Sequence, residues 1–152
     1  MKMFIKDKKG FTLIELLAVI VILAILVMVA IPAVTRYLNA ARQGTFVDNA
    51  KSAISAVRND VIINGYTKST YTLSDINGLL ERKLNTSPFN SAYTTDSYIQ
   101  VTQTENPEKL GEYVYAYSMC LADDGGHGFT LTAENELDES NIKMTGVTCS
   151  ST

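Results

Sequence analysis

Lys8-Lys9-Gly10-Phe11-Thr12-Leu13-Ile14-Glu15 opens the stretch that decides the fold, and an apolar run from Leu16 to Val34 continues it. A charged leader stops at a glycine, an aromatic follows, and one carboxylate stands at the edge of a segment otherwise suited to a bilayer. Residues 16–35 are 20 positions without a formal charge. At about 1.5 Å of rise per residue, a helix of that length spans about 30 Å, the thickness of a bilayer's hydrocarbon core. The basic leader, residues 1–10, predicts a cytoplasmic N-terminus with the remainder facing out. A removable secretory signal has a shorter apolar region and a small-residue cleavage site, which Val29-Ala30 and Ala33 imitate, so ordinary secretion stands as an alternative.

Pro32 lies near the end of the run, where its missing amide and ring clash predict a kink or local opening of the helix. Beyond it, residues 36–64 keep a helical period but change character. Tyr37, Ala40, Gly44, Val47, Ile54, Val57 and Val61 form one apolar stripe, with Arg36, Arg42, Asp48, Lys51, Arg58 and Asp60 on the other faces. Asn64-Gly65 is a suitable left-handed stop. Gly44 costs about 1 kcal/mol relative to alanine inside a helix, which is either tolerated or marks a bend or close packing.

The 152 residues carry a net charge of −3, and four lysines against one aspartate in the leader leave −6 for everything from Phe11 onward. An acidic body argues against broad binding to a phosphate backbone, so no specific nucleic acid is expected as a partner. Residues 66–98 are rich in turn formers, with one helical candidate at 74–84 capped by Ser74, and a loop at 85–95. Four strand-like runs follow at 97–104, 112–120, 129–133 and 142–148, with Asp123-Asp124-Gly125-Gly126 as a hairpin turn between the second and third. The expected fold class is therefore α+β: a long N-terminal α-helix packed on a C-terminal antiparallel sheet of about four strands. Its expected divisions are a leader at 1–10, a hydrophobic helix at 11–35, the amphipathic half of that helix at 36–64, and a loop-plus-sheet head at 65–152.

Cys120 and Cys149 lie in the last third of a chain whose start looks like an anchoring signal, a context that favours a disulfide over a metal pair or a thiol nucleophile; two free buried thiols are the alternative. Few residues offer chemistry. His127, the sole histidine, sits in the glycine-rich turn, where Asp123 and Asp124 are too few and too local to complete a cation site, and a solvated turn is expected. Tyr113, Tyr115 and Tyr117 suggest either a stacking platform or a sheet face packed on the helix, of which packing is preferred. No residue is assigned to catalysis, a cofactor or a metal, and no enzyme is expected. Glu15 has two readings: a carboxylate snorkelling at the membrane surface, or, if the chain is cut after Gly10, the partner of a new α-amino group on Phe11.

These residues resemble the type IV pilin family and its relatives, the pseudopilins of secretion and DNA-uptake machines. Residues 8–17 are similar to the family's prepilin signature, and Pro32 stands where the family often has a kinking proline. The resemblance implies the type IV pilin fold, and cleavage between Gly10 and Phe11 by a prepilin peptidase with N-methylation of Phe11. It implies that Glu15 serves assembly by pairing with a neighbour's Phe11 amine. An assembly ATPase and a platform protein would draw subunits from membrane lipid into a helical homo-oligomer. The precursor would then be a single-pass protein of the inner membrane, and the product a surface pilus acting in adhesion, twitching motility or DNA uptake. The segment between Cys120 and Cys149 would be the family's disulfide-bounded variable region. Residues 88–93 resemble a loop of the major secretion pseudopilins but lack its tryptophan and glycine; that departure and the late cysteines favour a pilin, with a pseudopilin or a membrane-tethered binding module as alternatives.

Overall fold

The computed structural model describes residues 10–150, and the basic leader expected at 1–10 lies, apart from Gly10, outside the described residues. The chain falls into two compact units divided between Asn39 and Ala40. Helix α1 (Leu13–Asn64) runs for 52 residues. It continues unbroken through Pro32, whose ring nitrogen cannot donate to the Met28 carbonyl. Three residues on, Thr35 Oγ1 donates to the Ile31 and Pro32 carbonyls, each at 3.1 Å.

In the first unit every residue of α1 is exposed. In the second unit, α1 buries Phe46, Val47, Ala50, Ala53, Ile54, Val57 and Val61, a three- and four-residue spacing that lines one face. Four of these belong to the expected stripe, but Tyr37 is 75% exposed and Ala40 lies open, whereas Phe46, Ala50 and Ala53 are core. Ala50 and Ala53 are small enough to be buried without announcing themselves as apolar anchors. At Gly44 a Cβ would meet only the carboxylate end of the exposed Glu139 side chain, at 3.0 Å, so neither tolerance nor close packing is singled out there. The helix ends as expected, with Gly65 at φ +79.

Strands β1 (Thr70–Thr72), β2 (Tyr98–Glu105), β3 (Tyr113–Ala122) and β4 (Gly128–Ala133) form one antiparallel sheet in that order. The class is α+β, as expected. Tyr71, Ile99 and Met119 pair across three strands in one buried row, and with Val101, Tyr117, Leu121 and Phe129 they join the helix residues in a single core. The Phe46 ring lies 5.5–6.0 Å from Phe89, Tyr93 and Phe129.

Two expectations are corrected. Helix α2 (Leu73–Leu79) is capped by Thr72, not Ser74: Thr72 Oγ1 accepts from the Asp75 amide while the Asp75 carboxylate accepts from the Thr72 amide. It stops at Leu79 and does not reach 84, because Asn77 Oδ1 takes the Leu84 amide at 2.6 Å and draws the chain out of the helix. Residues 142–148 are no strand. Lys143 alone bridges to Gly128, through bonds of 2.9 and 3.0 Å, and Gly146 turns the backbone at φ +74. The fourth strand is β1, three residues in a turn-rich stretch where alternation is too short to read. After β4 the chain passes through two single 3₁₀ turns, Glu134–Glu136 and Glu139–Asn141, and lies along α1: Arg58 pairs with Glu134, and Gln43 Nε2 meets Met144 Sδ at 3.3 Å.

Candidate functional site: the N-terminal segment

Gly10, Phe11 and Thr12 precede the first helical residue, Leu13. Thr12 and Glu15 form a reciprocal pair about the start of α1. The Thr12 amide and hydroxyl donate to Glu15 Oε2 at 2.7 and 2.8 Å, and the Glu15 amide donates back to Thr12 Oγ1 at 3.4 Å. This is a capping box, and it supplies partners to amides that the first turn leaves without them. Thr-x-x-Glu is a local signal of that arrangement, and it explains why the helix begins here and why Glu15 points back toward the chain start. The hydrogen bonds engage Oε2.

Phe11 is 91% exposed, and the large apolar side chains from Leu13 to Val34 are all between 51% and 87% exposed. A helix apolar on every side is stable only when lipid or other protein surrounds it. α1 is long and apolar enough to cross a membrane. Position, cap and apolarity thus converge on one end of the molecule, where a free amine on Phe11, a carboxylate at Glu15 and an uncovered helix would be neighbours in sequence.

The other expected sites lie in the second unit. Cys120 and Cys149 are joined by a disulfide with Cα atoms 5.8 Å apart, which sets aside the free-thiol alternative. The bridge ties the chain end to β3, and Val147, Ala122 and Tyr98 pack around it. His127 is not in a solvated turn. Asp123, 1% exposed, accepts from Ser87 Oγ at 2.6 Å and from the His127 amide at 2.9 Å, and faces His127 Nδ1 at 2.9 Å. The imidazole stacks on Phe89 at 4.3 Å. This polar knot fastens residues 87–93 to the β3–β4 turn. It was invisible in sequence because Ser87 and Asp123 are 36 positions apart. Asp124 points to solvent, and among the described residues no cluster of three metal-ligating groups occurs.

Two of the three β3 tyrosines pack as expected, whereas Tyr113 is 51% exposed. Tyr117 is buried with the Arg58 guanidinium 5.0 Å from its ring, and Tyr115 packs on Tyr66. Burial raises the Tyr71 phenol, reinforced by its bond to Asp60. Burial likewise pushes Tyr93 up to about 12, opposed by its hydrogen bond with Asn49. The Lys68 ammonium, 2.7 Å from Asp75, holds that carboxyl below its usual range.

No curated protein and no solved structure matches the chain. A family match falls on the N-terminal segment, and it is to a structural motif, not an enzyme family. Residues 5–31 match the prokaryotic N-terminal methylation motif, the signature of type IV pilins and pseudopilins, and this motif with the apolar helix is consistent with a membrane-anchored precursor.

Proposed function

We propose that this chain is a structural subunit of a type IV pilus. It enters the membrane as a prepilin, is cut between Gly10 and Phe11, is N-methylated on Phe11, and polymerises through its hydrophobic helix. One observation carries the reading: the methylation motif, residues 5–31, runs into a helix whose large apolar side chains are all exposed from Leu13 to Val34. Lipid covers that surface while the subunit waits; other copies cover it in the filament. Glu15 supports assembly because a carboxylate among apolar side chains is costly without a cation, and the amine of a neighbour's Phe11 supplies one. Pro32 offers the helix a point of bending during packing. An assembly ATPase and a platform protein extract the subunits, and the surface filament serves adhesion, motility or DNA uptake. The disulfide supports the pilin reading over a pseudopilin. Mass spectrometry of the N-terminal peptide and electron microscopy of sheared cell-surface material test the proposal. Methylated Phe11 in surface filaments is the expected result, and native protein that still starts at Met1 sinks it. Glu15→Lys should abolish filaments, whereas a membrane-tethered binding module would tolerate it.

A further inference from the structure

Helix α2 and the chain that returns beside it enclose a cleft. Asn77 Oδ1 takes the Leu84 amide at 2.6 Å, and Leu84, 6% exposed, anchors the return in the core. The Lys83 carbonyl accepts the Asn85 amide at 3.1 Å, which tightens the bend. Between α2, this bend and Thr95 the cleft measures about 730 Å³, inside the range of roughly 300–1,000 Å³ usual for small-molecule sites.

The lining is sorted by charge. Among the described residues Lys83 is its one charged side chain, and no carboxylate lines it. Asp75, the acidic residue of α2, is engaged instead by Lys68 Nζ at 2.7 Å and by the Thr72 amide at 2.9 Å. Glu81 and Arg82, the neighbours of Lys83 in sequence, line another cleft together with Asp48 and Asp60 of α1. A third cleft, beside the disulfide, is lined by Asp96, Asp123 and Asp124. In an acidic body, a concavity with a cation and no anion is not what composition alone supplies.

Among the described residues Lys83 enters no ion pair, and the side chains of Ser74, Asn85 and Thr95 make no internal hydrogen bond. Four polar groups that the fold does not use therefore line one concavity. Leu73 and Leu80 supply its apolar part, and Gly78 leaves room, since a Cβ there meets nothing within 4 Å.

One ammonium suits one carboxylate, whereas a phosphate chain draws on several cations or forked donors. With no aromatic side chain in the lining, a nucleobase finds nothing to stack on. Hydroxyls and an amide beside a small aliphatic surface match a sugar ring, which presents hydroxyls at its edge and C–H groups on its face. We infer that this cleft binds an acidic sugar, with the sugar carboxylate on Lys83 Nζ and the ring hydroxyls on Ser74, Asn85 and Thr95. The site lies wholly within the second unit and goes beyond the filament reading. In a filament it recurs with every subunit, while binding itself needs only one chain.

The experiment titrates the isotope-labelled full-length chain, in detergent micelles, with cellobiouronic acid (glucuronate linked to glucose), with its methyl ester and with cellobiose, and follows amide NMR shifts. The acid should shift residues 72–85 and 95. The ester and cellobiose should bind at least about tenfold more weakly, the usual consequence of losing a charge-assisted hydrogen bond. Lys83→Gln should weaken the acid to the level of the ester. Gly78→Phe, which adds bulk to the cleft wall and leaves Lys83 in place, should abolish binding while the core amides keep their positions. Equal binding of acid and ester, shifts confined to other residues, no shift at all, or undiminished binding in Lys83→Gln each overturns the inference, as does undiminished binding in a folded Gly78→Phe. Filaments whose subunits ignore the acid reject this site alone; a chain that binds the acid, keeps Met1 and forms no filaments rejects the filament reading alone.

Discussion

The Thr12 amide lies 2.7 Å from Glu15 Oε2, so the one carboxylate of the apolar helix closes its own N-terminus. The same carboxylate that caps the helix in a single chain is the group proposed to receive a neighbour's amine. Helix start and assembly chemistry thus share four residues.

Thr12→Ala should loosen that start by about 1 kcal/mol, the usual worth of an N-cap, and Thr12→Ser should restore it. Amide exchange of residues 13–16, measured for the full chain in detergent micelles, reads the change. Equal protection in all three forms would show that the capping box contributes nothing.

The Cys120–Cys149 bridge closes a loop with a sequence separation of 29. Loop entropy puts its contribution on the order of 3 to 4 kcal/mol. Denaturant unfolding of the full chain should show a lowered midpoint, corresponding to that loss of unfolding free energy, in the Cys120→Ser, Cys149→Ser double variant. An unchanged midpoint would contradict the constraint.

Ser87→Ala removes a donor from a buried carboxylate, and should cost about 1 to 3 kcal/mol. Asp123→Ala should cost more, because Ser87, the His127 amide and the imidazole then lose their common acceptor. Urea unfolding ranks the two, and an Asp123→Ala variant as stable as the parent would mean that the knot is dispensable.

Tyr93 governs an alkaline limb. Its phenol is held near 12 in the folded chain, above the ordinary 10.0, chiefly by burial. A raised folded value stabilises the fold fully below the unfolded value and loses that contribution as pH rises through the folded one. Stability should therefore fall between about pH 10 and 12, and Tyr93→Phe should flatten that fall. Unfolding midpoints across this range, set beside phenolate absorbance, check it; identical slopes in the two proteins would refute the assignment.

Local patterns were legible. Twenty uncharged residues, Asn64-Gly65 and the Asp123–Gly126 turn each encode their structure within a few positions, since a helix or a hairpin needs only neighbours in sequence to declare itself. The Thr12–Glu15 box is as local, yet the reading of Glu15 passed over it. The places where reading failed have distant partners. Leu84 looked helical, but Asn77 captures its amide; Ile142 and Val147 looked like a strand, but they are buried by a strap that lies along α1 and is tied by the disulfide. β1 exists because Ile99 and Tyr98 are there to receive Tyr71 and Thr72.

The methylation motif and the apolar span are written in the first 35 residues, because both are properties of a linear segment. The identity of the fourth strand and the burial of Asp123 arise only when segments far apart in sequence compete for the same hydrogen bonds and the same buried space. That competition is decided by three-dimensional packing, and no local period records its outcome.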